Sequence, residues 1–134
     1  MKCIGCATCI AVCPQAAIDV PWEQGAPTIA QKMVEYAQAA LFKKKGKCAF
    51  LNFIIKVTKE CDCLAKDDPR EVEDIGIAAS LDPVALDKAC VDLVNQKAGR
   101  DLFKELHLSR DWMVQLQHAQ KIGLGTLDYE LIKV

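Results

Sequence analysis

Four cysteines fall within the first thirteen residues, Cys3, Cys6, Cys9 and Cys13, and Pro14 follows the last of them. The pattern is C-x2-C-x2-C-x3-C-P, the spacing with which bacterial thiolates hold [4Fe–4S] cubanes. Three thiolates with two residues between neighbours can curl round one cluster. Gly5 and the small Ala7 and Thr8 permit the tight turn and bring backbone N–H groups to the sulfides. In two-cluster units the fourth cysteine of such a run serves the other cluster, so Cys13 is expected to point away. The run then reads as half of a reciprocal arrangement. Zinc is the rival, but structural zinc takes paired C-x2-C knuckles separated by a longer loop.

Cys61-Asp62-Cys63 is the second candidate site. On extended chain a C-x-C pair puts both thiols on one face, within reach of one metal, with Asp62 turned away. Cys13, Cys48 or the carboxylate of Asp74 could complete such a set. Cys90 lies inside a helical apolar stripe and reads as a small core residue. His107 and His118 stand outside any metal-like spacing and read as surface or cap residues. Asp82 precedes Pro83 as a helix cap, whereas Asp87 lies one position off an apolar stripe, where it could face a cleft. No Gly-rich phosphate loop is present: Gly123-Leu124-Gly125 follows a helix where a nucleotide fingerprint would precede one.

The elements expected to position these groups form an α/β body over residues 28–134, joined to a ferredoxin-type iron–sulfur segment over residues 1–20. Pro21 to Pro27 reads as a linker. Apolar residues at helical spacing predict a helix over 28–45, with Thr28 as N-cap and Gly46 as stop. The run Lys43, Lys44, Lys45 and Lys47 suits the negative end of that helix. Residues 48–57 are apolar on both parities, which predicts a strand buried on both faces, and 74–79 predicts a second strand. Helices are expected over 82–96 and over 110–122, the latter capped by Ser109, with a last strand over 127–133. The fold class is therefore α/β, a small sheet with covering helices.

A chain of 134 residues, 51% apolar, has a one-domain length and can bury a core without disulfide staples. Its formal charge of −1 offers no broad attraction for nucleic acid or an anionic membrane. The longest apolar stretch, Ala49 to Val57, is far short of the roughly 20 residues that span a bilayer. Thiols in a cluster spacing, with no leader-like start, fit a cytoplasmic protein. Only Met1 and Lys2 precede the first ligand, so the cluster loop lacks an N-terminal supporting strand and the chain reads as a fragment of a longer protein.

Several segments together resemble one family: Cys3 to Pro14, Gln31 to Ala37, Cys61 to Cys63, Asp74 to Asp87 and Leu124 to Ile132. They are similar to the carboxy-terminal third of the iron–sulfur proteins known as domain of unknown function 362. Those proteins carry a large α/β portion before two successive C-x2-C-x2-C-x3-C-P motifs, and this chain resembles them from the second motif onward. The resemblance implies [4Fe–4S] binding, with Cys3, Cys6 and Cys9 as ligands of one cluster and Cys13 as a ligand of a partner cluster. It implies electron transfer or a redox-associated role, with a redox partner protein or the missing upstream half as partner. It names no substrate. An enzyme with a substrate or metal site near Cys61, Cys63 and Asp74 is the alternative, and a cysteine-coordinated zinc protein is a second.

Overall fold

A computed structural model describes residues 8–18, 22–44, 46–60 and 67–134, with the backbone alone for 22–26. The order is α1 (Thr8–Val12), α2 (Trp22–Leu41), β1 (Phe50–Ile54), β2 (Gly76–Ser80), α3 (Pro83–Ala98), α4 (Leu102–Leu106) and α5 (Met113–Lys121). The fold is mixed α/β, with β1 and β2 as an antiparallel pair in which Phe53 faces Ile77 and Leu51 faces Ala79.

Helix α3 organises the body. Asp82 accepts the N–H groups of Val84 at 2.8 Å and Ala85 at 3.0 Å, and Pro83 opens the first turn. Gly99 closes the helix at φ 70°, and the Arg100 N–H donates to the Asn95 carbonyl at 3.2 Å. Its first half sends Val84 into a core with Val34 of α2 and Leu116 and Ala119 of α5. Its second half sends Val94 into another core with Ile54, Val72 and the fully buried Leu102. Helix α4, which the apolar pattern does not announce, is capped by the Asp101 carboxylate accepting the Lys104 N–H at 3.2 Å.

Several expectations need correction. Residues 22–27 are helical instead of a linker, and Thr28 lies inside α2. Pro27 lies inside α2, where its fixed φ is compatible with the helix although it lacks the N–H for the i−4 carbonyl and its ring crowds that carbonyl. Helix α2 stops at Leu41, before Gly46, because Lys43 itself takes the left-handed conformation (φ 59°) and Lys44 N–H bonds the Leu41 carbonyl at 2.9 Å. Strand β1 is covered on one face only: Ile54 is buried, while Leu51, Phe53 and Ile55 are more than half exposed. Helices pack on one side of a two-stranded ribbon, and no element described here reaches the other. The segment 127–133 has no strand partner among the described residues; it is held by the Leu127 N–H on the Gln120 side-chain oxygen (3.0 Å) and the Tyr129 hydroxyl on Asp92 (2.7 Å).

The helix expected over 110–122 runs from Met113 to Lys121, and the Asp111 carboxylate, not Ser109, accepts the Met113 N–H at 3.0 Å. No helix among the described residues is long and apolar enough to cross a membrane.

Candidate metal centre

Of the four N-terminal cysteines, Cys9 and Cys13 are described; Cys3 and Cys6 lie outside the described residues, as do Cys61 and Cys63. Cys9 is exposed on α1, and Cys13 follows the helix at once, half-buried. Neither is in a disulfide.

The backbone after Cys13 folds round its sulfur. Pro14 fixes the exit from α1, Ala16 takes a left-handed φ of 47°, and the Ala16 N–H closes a turn on the Cys13 carbonyl at 3.1 Å. The Ala17 N–H then donates to Cys13 Sγ at 3.4 Å. Successive N–H groups presented by a turn with a left-handed residue form an anion-binding concavity. The bond from Ala17, and next that from Gln15, holds the Cys13 thiol below its ordinary pKa against a smaller opposing effect of burial. A thiolate is the ligand and nucleophile form of cysteine. Accessible Cys9 and Cys13, whose sulfur accepts a backbone N–H and whose pKa is lowered, are the donor chemistry an iron–sulfur cluster requires, so the described members of the run fit that group.

The other candidates are spent on structure. Asp74 accepts the Lys56 N–H at 2.8 Å and pairs with Arg70 at 3.4 Å, next to the Thr58–Arg70 bridge. Asp82 is the cap already described, and its second oxygen accepts the Thr126 N–H at 2.9 Å. Asp87 accepts from the Asn52 side chain at 2.9 Å, and the same amide approaches Cys90 Sγ at 3.5 Å. Burial raises the Cys90 thiol pKa, which suits an inert packing residue. His107 caps α4 and meets the Lys59 carbonyl at 2.9 Å. His118 is not a surface residue: it bridges α5 to Glu35 of α2 at 3.3 Å. Among the described residues no three His, Cys, Asp or Glu side chains converge as a metal site.

The sequence marks Pro14 to Ile18 as the close of the cysteine motif, and the structure adds the Ala17 N–H on the Cys13 sulfur. The turn's sequence signal is the proline directly after Cys13, which suits the second position of the turn closed by the Ala16 N–H on the Cys13 carbonyl.

Residues 5–92 match the model of the family described as Domain of unknown function (DUF362). No curated protein and no solved structure matches the chain.

Proposed function

The chain belongs to the DUF362 family, and we propose that its N-terminal segment binds a [4Fe–4S] cluster and serves electron transfer or a redox-associated reaction. Cys3, Cys6 and Cys9 hold one cluster and Cys13 reaches a partner cluster, in keeping with the spacing. The bound cluster supplies one-electron chemistry. The chain's own part is to favour the thiolate form of Cys13 through the Ala17 and Gln15 N–H groups, and to offer the α/β body as the dock for a redox partner protein. The observation that carries this reading is the Cys13 sulfur seated in its backbone turn. A half-buried packing cysteine, Cys90, has the opposite shift.

Of the residues named for the enzyme alternative, Asp74 holds the Lys56 N–H and Arg70, and Cys61 and Cys63 lie outside the described residues. Anaerobic reconstitution followed by iron, sulfide and zinc analysis tests the proposal. Broad absorption at about 400 nm that bleaches with dithionite is expected of thiolate-bound cubanes. Stoichiometric zinc without iron would overturn it in favour of the zinc reading.

A further inference from the structure

The β1–β2 ribbon turns its even-numbered residues to α3: the Asn52 side chain donates to Asp87 at 2.9 Å, and Ile54 and Ala78 join the core with Val94. Side chains alternate across a strand, so the odd-numbered residues form the opposite face. There Leu51 is 59% exposed, Phe53 63%, Ile55 52% and Ile77 63%, with the smaller Ala79 exposed beside them. Phe53 stands opposite Ile77 and Leu51 opposite Ala79, so these side chains make one continuous apolar patch. Lysines and prolines commonly guard an open sheet, yet residues 48–55 and 75–81 contain no charged residue and no proline.

The size of the patch and the charges at its ends both suit a copy of itself. At roughly 200 Å² for a fully exposed large side chain, Leu51, Phe53, Ile55 and Ile77 present on the order of 450 Å² per copy. Two such faces in contact, with Ala79 and the strand backbone, would remove about 1,000 Å² or more from water, the size a specific interface needs. Lys47 lies five residues before Asn52 at one end of the ribbon, and Glu73 lies five residues before Ala78, the register partner of Asn52, at the other end. Both are exposed, and neither is in an ion pair among the described residues. A two-fold axis across the strands sets the Lys47 end of each copy on the Glu73 end of the other, so two opposite-charge pairs form at once. Strands running the same way would bring like charges together. A net charge of −1 adds little repulsion between copies.

We propose that the odd-numbered face of the ribbon is the interface of an isologous dimer: a second copy of this chain packs on it face to face with its strands reversed, and Lys47 meets the partner's Glu73. The surface uses none of the cysteines of the N-terminal run and does not depend on a bound cluster.

The whole chain, kept reduced, is followed by sedimentation equilibrium from about 1 to 500 μM, with and without reconstituted cluster. A monomer–dimer equilibrium with a dissociation constant of about 1–100 μM is expected in both states, as for a small interface. Phe53→Lys should raise that constant about tenfold or more, because each dimer would then bury two ammonium groups. Phe53 is exposed in the single chain, so circular dichroism should be unchanged in that variant. Lys47→Glu or Glu73→Lys alone should weaken the dimer about threefold or more, and the two together in one chain should restore it. A chain that stays monomeric at about 500 μM would overturn the proposal and leave the face to a different protein. A dimer indifferent to Phe53→Lys, one not restored by the double charge exchange, or one that forms only with the cluster bound would overturn it as well. So would open-ended growth beyond the dimer, which would place the contact at the strand edges.

Discussion

Gly125 passes so close to Asp82 that a Cβ at position 125 would lie 2.7 Å from the Asp82 carboxyl carbon and closer still to Oδ1. Asp82 cannot move aside without releasing the N–H groups of Val84, Ala85 and Thr126. One carboxylate therefore caps α3 and pins the loop after α5, and the loop needs a glycine to reach it. Gly125→Ala should cost about 1–3 kcal/mol, the usual range for overpacking, read as a lower urea midpoint at unchanged slope. Asp82→Ala removes the obstacle along with the cap, so the double variant should lose less than the sum of the two single losses.

The thiols of Cys13 and Cys90 are shifted in opposite directions and should react in that order. Hydrogen bonds from Ala17 and Gln15 lower Cys13, while burial raises Cys90. In metal-free protein, alkylation followed by mass spectrometry should modify Cys13 at a pH below the ordinary thiol value of about 8.5, and Cys90 only above it. Simultaneous modification of both would contradict the turn geometry at Cys13.

Cluster occupancy should separate the cysteines into a set and an outlier. Cys6→Ser is expected to abolish reconstituted iron and sulfide, because three thiolates share one cubane, whereas Cys13→Ser should leave most of that cluster in place. Equal loss in both variants would show all four cysteines on a single cluster.

Lys32 first, and then His118, hold the Glu35 carboxyl below its ordinary pKa, and the His118 contact ties α2 to α5. A lowered folded-state pKa stabilises the fold above the unfolded value, about 4.3 for glutamate, and that contribution disappears as pH falls through the folded value. Glu35→Gln should therefore match the parent in melting temperature below about pH 4 and fall short of it at pH 6. A constant difference across that range would remove Glu35 from the pH response.

Burial, and next its hydrogen bond to Asp92, pushes the Tyr129 phenol up to about 12. A raised folded-state pKa contributes stability that is complete below the unfolded value of about 10 and is lost as pH rises through the folded one. Spectrophotometric titration should show a tyrosine ionising near that raised value, and Tyr129→Phe should remove it. The same variant should lose about 1 kcal/mol or less at neutral pH, since the hydroxyl is partly exposed. An unchanged titration curve would detach the tail from α3.

What the sequence determined by itself is what neighbouring residues enforce. The cysteine spacing, the cap at Asp82-Pro83, the end of α5 before Gly123 and the helical stripe of α3 all depend on backbone geometry within a turn or two, and all were legible. The family was legible for the same reason, as contiguous segments. Tertiary structure decided whatever needs a distant partner. Residues 48–57 carry apolar side chains on both parities, but α3 covers only the Ile54 face, and no residue within the strand reveals which face is covered. The alternation over 127–133 matches a strand, yet a strand exists only where another offers its edge, and here Gln120 and Asp92 take the tail instead. Glu35 meets His118 across 83 residues, and Gly125 meets Asp82 across a chain reversal. Local preference is set by φ, ψ and spacing along the chain. Which surfaces come together is set by the packing of α3 against everything else, and that is a property of the folded body alone.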